Sequence, residues 1–126
     1  MAKILIAEDE RDIRELITYT LQFAGYQVLP TSDGEEAFET AKEEIPDLIV
    51  LDVRMPRMTG YEACTQLKSE MTTKHIPIIF VSAKGQEGEV QTGLDMGASD
   101  YLIKPFSPAQ LVELVQKVLN SATNAL

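Results

Sequence analysis

Four apolar runs in this chain end in groups that can do chemistry. Lys3 to Ala7 runs straight into Glu8 and Asp9, and Leu48 to Asp52 closes on a single carboxylate. Ile78 to Ser82 closes on a hydroxyl, and Tyr101 to Lys104 closes on an ammonium just before Pro105. If the runs are neighbouring strands of an open parallel sheet, their carboxyl ends share one edge, which is where such sheets bind ligands. Glu8, Asp9 and Asp52 would then repel one another and raise each other's pKa unless a cation intervened. Mg²⁺ suits the place, because a small hard cation takes oxygen ligands, keeps several waters and needs few protein carboxylates when a phosphate completes its shell. Lys104 is a mobile point charge able to grip a phosphoryl oxygen, and Ser82 can donate to another. With its surroundings so arranged, Asp52 can attack phosphorus in line and become an acyl phosphate.

The rest of the chain reads as the frame for those ends. Ile13, Leu16, Ile17, Leu21 and Ala24 recur at helical spacing, which predicts a first helix ending near Gly25. Gln27 to Thr31 reads as a strand. Ser32, Asp33 and Gly34 form a turn before a helix over Glu35 to Glu43, whose inner stripe is Ala37, Phe38 and Ala41 and whose end is set by Pro46. Thr59 and Glu62 stand in the capping-box relation, so a third helix begins close to Gly60 and runs to about Glu70. Gln86 to Met96 predicts a weaker, short and mobile helix, since Gly85, Gly88 and Gly93 each cost about 1 kcal/mol relative to alanine. Gly97 is placed to cap it. Ser107 and Pro108 open a final helix with a capping hydroxyl and a proline in the first turn, and Leu111, Leu114, Val115, Val118 and Leu119 give its buried face. Strand and helix alternate, and the strands lack the period-two pattern of a sheet wet on one side. That is an α/β, doubly wound, five-stranded parallel sheet with helices on both faces.

With 126 residues the chain has the length of one domain, and its net charge of -9 argues against binding a nucleic-acid backbone. Cys64 is the one cysteine and reads as a small buried hydrophobe on the third helix. It excludes an internal disulfide and fits a reducing compartment. Without a signal-like segment or a membrane span, the expected location is cytoplasmic.

Taken together, Glu8 and Asp9 after the first strand, Asp52 with Met55, Pro56 and Gly60 after the third, Ser82 and Ala83 after the fourth, and Lys104, Pro105 and Phe106 after the fifth resemble the receiver domains of bacterial two-component response regulators. The pattern is chemotaxis-regulator-like. The resemblance spans essentially the whole chain and implies a receiver domain over residues 1–121 with a tail at 122–126. It implies the flavodoxin-like strand order 2-1-3-4-5 and a cis bond between Lys104 and Pro105. It also implies a phosphoacceptor at Asp52, served by Lys104 and Ser82. Mg²⁺ would be held by Glu8, Asp9, Asp52 and the backbone carbonyl of Arg54. Tyr101 would turn inward as a switch aromatic while Ser82 moves to the phosphoryl group. The implied partners are a sensor histidine kinase or histidine phosphotransfer protein and a downstream target or output domain, with neither nucleic acid nor membrane contacted directly. Such a domain is not an enzyme beyond catalysing its own phosphorylation and dephosphorylation. The output surface would be the fourth helix, fifth strand and fifth helix. There Glu87, Glu89, Gln91, Asp95, Gln110, Glu113, Gln116 and Lys117 are short of the basic residues that pair across a dimer in regulators with winged-helix DNA-binding domains. Arg54 and Lys84, each two places after a site residue, are expected to shield the acyl phosphate from water.

Plainer readings exist for each group alone. Glu8, Asp9 and Glu10 could be a charged helix start, favourable at the positive dipole end, and Asp52 a turn residue before Pro56. Tyr101 could be a half-buried strand aromatic. Gly60 and Gly97 read as structural caps, and His75 as a lone loop histidine with neither metal nor catalytic role. A receiver that binds partners without phosphorylation is the alternative function. A metal-dependent phosphatase would use the same nucleophile but needs a second aspartate two residues on and a cap domain. A flavin module would need a phosphate loop where Glu8, Asp9 and Glu10 stand.

Overall fold

A computed structural model of the chain describes residues 1–83 and 87–124. Five parallel strands, β1 (Lys3–Ala7), β2 (Gln27–Thr31), β3 (Leu48–Asp52), β4 (Ile78–Ala83) and β5 (Asp100–Lys104), lie in the order β2-β1-β3-β4-β5. They alternate with α1 (Arg11–Phe23), α2 (Gly34–Glu44), α3 (Gly60–Ser69), α4 (Glu87–Asp95) and α5 (Pro108–Asn124). This is the doubly wound, flavodoxin-like fold.

Successive strand residues point to opposite faces, and both faces are dry. Leu5, Ile49, Leu51, Ile78 and Phe80 meet Ala37, Phe38 and Ala41 of α2 and Ala63, Cys64 and Leu67 of α3. Ile4, Ile6, Val50, Ile79 and Val81 meet Ile17 and Leu21 of α1 and Leu111, Val115 and Val118 of α5. Two apolar layers on one sheet explain why β1, β3 and β4 carry unbroken hydrophobic runs.

Most helix boundaries fall where the sequence puts them. Both halves of the Thr59–Glu62 capping box form, and Asp33 caps α2 by accepting from the Glu36 amide at 2.8 Å. Gly97 follows α4 with a φ of 103°, a left-handed conformation that costs glycine little. One expectation needs correction. Leu16 of α1 and Ala24 just after it lie outside the buried stripe, and Thr18 takes a buried place instead by bonding back to the Arg14 carbonyl at 2.7 Å. The final helix continues through Asn124. Among the described residues no helix is long and apolar enough to cross a membrane.

Candidate active site

Register brings the chemical groups together. Ala7 lies opposite Leu51, Asp52 opposite Val81, and Ala83 opposite Lys104, so Glu8, Asp52, Ser82 and Lys104 all emerge at one edge of three adjoining strand pairs. Glu8, Asp9 and Asp52 each place a carboxylate oxygen within 4.8 Å of the others. Glu8 is 1% exposed and Asp52 6%, whereas Asp9 faces solvent. The backbone around them is pinned: the Glu8 amide donates to the Thr31 carbonyl at 3.1 Å, and Arg14 Nη1 donates to the Glu8 carbonyl at 2.8 Å. After β3, the Gly60 amide donates to the Val53 carbonyl at 3.0 Å. A side chain at Gly60 would overlap the Asp52 carbonyl, so this glycine lets α3 start directly beneath the central carboxylate.

Lys104 bridges the two buried acids, its Nζ 2.8 Å from Glu8 Oε1 and 3.2 Å from Asp52 Oδ2. The approach to Glu8 is an ion pair off the line of a hydrogen bond, and Glu8 Oε1 is left buried without a donor. Burial alone would lower the Lys104 pKa, but contact with Glu8 and the charge of Asp52 outweigh it and raise it, so this ammonium stays charged. The Glu8 carboxyl is pushed up to about 8, first by burial and then by contact with Asp52 and its charge, with Lys104 pulling the other way. One lysine does not neutralise this cluster. An oxygen-only donor set of three carboxylates facing a single ammonium fits a small hard cation.

Ser82 Oγ donates to Glu89 Oε1 at 2.9 Å, and Glu89 Oε2 pairs with Arg54 Nη2 at 2.8 Å. The Arg54 amide faces Asp52 Oδ1 at 3.4 Å. Tyr61 joins the same network, its hydroxyl donating to the Glu89 carbonyl at 2.8 Å and its ring standing edge-on to Phe80. A cavity of about 460 Å³ opens between Arg54, Tyr61, Glu89 and Asp9. A larger one, about 680 Å³, sits at the opposite, amino-terminal edge beside Pro46, His75 and Leu119. It lies far from Asp52.

The profile described as response regulator receiver domain matches residues 4–116. The chain belongs to this family. The chain is 44% identical over 117 residues to the alkaline phosphatase synthesis transcriptional regulatory protein of Bacillus subtilis, a match covering 93% of this chain and 48% of that one. It therefore spans about half the length of the curated relatives it matches. A chemotaxis response regulator of Vibrio cholerae superposes with a TM-score of 0.88 at 37% identity, over 94% of this chain and 98% of that one. The receiver domain of a sensor histidine kinase from Pseudomonas aeruginosa, with magnesium coordinated in its active-site cleft, gives 0.88 at 31% identity over the same shares.

In this receiver the clustered Glu8, Asp9 and Asp52 form the acidic patch typical of the family's phosphoacceptor site. Receivers act on their own phosphorylation state and are not general enzymes. The Lys104–Pro105 bond is cis, as the resemblance implied. Tyr101 stands 39% exposed on β5, and Lys84 lies outside the described residues. Among the described residues, the sequence reading passed over Glu89 and Tyr61. Glu89 was assigned to the outer surface of α4, yet its carboxylate turns in to hold Ser82 and Arg54. The available signal was an acid in the first turn of the helix following Ser82, which is weak alone because acids favour that turn anyway.

Proposed function

We propose that Asp52 is the phosphoacceptor of this receiver and that the phosphoryl group on it is the signal. The observation that carries this is a buried carboxylate paired with Lys104 at 3.2 Å and flanked by two further acids whose oxygens lie within 4.8 Å. Glu8, Asp9, Asp52 and the Arg54 carbonyl would hold Mg²⁺. Bound there, the ion would neutralise oxygens of the donor phosphate and of the carboxylates that repel it. An Asp52 oxygen attacks phosphorus in line. The new O–P bond forms as the bond to the donor breaks, and the bonding pair leaves on an imidazole nitrogen or, from acetyl phosphate, on acetate. Lys104 pairs with a phosphoryl oxygen and Ser82 donates to another. Tyr101 then turns inward, and the surface of α4, β5 and α5 shifts population toward the state that binds the target.

The proposed donor is a histidine kinase or histidine phosphotransfer protein. Leu16, Tyr19 and Phe23 are exposed along α1, spaced to pack against a helix of such a partner. Phe23→Glu is expected to slow transfer from the protein donor and leave acetyl phosphate chemistry unchanged. The primary test is intact mass after incubation with acetyl phosphate, with and without Mg²⁺. A Mg²⁺-dependent phosphoryl adduct absent from Asp52→Ala supports the reading. No adduct, together with no binding of beryllofluoride, points instead to a receiver that binds its partner without phosphorylation.

A further inference from the structure

Glu89 places both carboxylate oxygens on donors that a phosphoryl group at Asp52 would also seek. Oε1 accepts from Ser82 Oγ at 2.9 Å, and Oε2 meets Arg54 Nη2 at 2.8 Å. Ser82 is the penultimate residue of β4, the strand paired with β3, and Arg54 follows Asp52 by two residues, so the two donors flank the phosphoacceptor on separate elements. Glu89 is no passive surface acid: its side chain is 15% exposed, and its backbone carbonyl is anchored by the Tyr61 hydroxyl at 2.8 Å. A phosphoryl group carries between about one and two negative charges and three acceptor oxygens, which makes it a stronger ligand for the same hydroxyl and guanidinium than one carboxylate.

We propose that Glu89 is the resident anion of the unphosphorylated site, holding the Ser82 hydroxyl and the Arg54 guanidinium until a phosphoryl group on Asp52 displaces it. The proposal rests on the phosphoacceptor reading and deepens it. The exchange couples chemistry to conformation. Glu89 lies in the first turn of α4, so losing its two side-chain partners frees that turn to move when Ser82 and Arg54 change ligand. Glu89 is thus a positioning residue that competes with phosphate, raising the barrier to spurious activation in the resting state.

The test is beryllofluoride affinity in the presence of Mg²⁺, measured by titration calorimetry on the full chain. Glu89→Gln keeps the size and removes the charge, and is expected to bind about tenfold more tightly than wild type, the scale of one charge-assisted hydrogen bond released. Glu89→Ala, which leaves no acceptor at all, should show a gain of the same sign. In the Ser82→Ala, Arg54→Ala double background the gain should vanish, because the donors being competed for are gone. A purely structural Glu89 would give a different result: affinity unchanged or weakened in both single variants, with thermal denaturation showing them folded, overturns the proposal. Failure of the underlying reading is separable, since the wild type would then bind beryllofluoride no better than Asp52→Asn.

Discussion

Asp52→Asn removes one charge from a cluster in which three carboxylates place oxygens within 4.8 Å of one another, and the stability effect should depend on pH. Glu8 has its pKa moved from 4.5 up to about 8, by burial first and then by Asp52. A carboxyl whose folded pKa lies above its unfolded value binds more protons in the folded state between the two values. Stability of the wild type should therefore fall as pH rises from about 4.5 to about 8. Part of that fall is Glu8–Asp52 repulsion, and unit charges at the outer limit of that spacing, 4.8 Å, interact by about 3.5 kcal/mol at an effective dielectric constant of about 20. Asparagine deletes this repulsion. It also deletes the attraction between Asp52 and Lys104 at 3.2 Å, about 5 kcal/mol on the same scale, but Lys104 stays charged throughout, so that loss is nearly constant with pH. Relative to wild type, the variant should gain up to about 3 kcal/mol as pH rises between about 4.5 and about 8. Urea denaturation followed by circular dichroism at several pH values reads this directly. Mg²⁺ binding the folded state should raise the high-pH end of the wild-type curve and move the variant little. Wild-type and variant curves that run parallel from acid to alkaline pH would refute the reasoning.

Gly60→Ala drives a methyl into the Asp52 carbonyl and should cost about 2 kcal/mol or more in urea denaturation, with slower adduct formation from acetyl phosphate. Thr59→Ala breaks the capping box of α3 and should lower stability by about 1 kcal/mol, again by urea denaturation, without abolishing the phosphoryl adduct seen by mass. In Gly93→Ala the new Cβ would meet Phe80 Cδ2 at 2.6 Å, so the helix-propensity gain of about 1 kcal/mol should be outweighed and the melting temperature should drop. Cys64 is fully buried and its thiol pKa is raised by burial. A disulfide reagent at pH 8 should modify the native protein about a hundredfold more slowly than the urea-unfolded chain.

The strands were legible because a two-faced sheet leaves a simple mark: runs such as Leu48 to Asp52 have no polar position until the edge where chemistry begins. The helix starts at Gly60 and Pro108 were equally legible, since capping chemistry is local. Packing was less so. Leu16 fits the helical spacing but faces solvent, because the buried stripe of α1 is narrow and Thr18 satisfies its own hydroxyl within the helix. Gly93 reads in sequence as a weakness of α4, and only the closeness of the Phe80 ring shows it to be a steric requirement.

Glu89 marks where sequence reasoning stops for a physical reason. Asp52, Ser82 and Lys104 are fixed to the sheet edge by strand register, so their meeting follows from the order of the strands. Glu89 belongs to a helix, where a rotation of one residue moves a side chain by about 100°. Whether it faces solvent or the site therefore depends on how α4 seats on the sheet, which Gly93 against Phe80 and the Tyr61 hydroxyl on the Glu89 carbonyl decide. The residues proposed to perform the chemistry are set by topology. The residue proposed to compete with its product is set by tertiary packing, and so it can differ between receivers that share the same strand-end motifs.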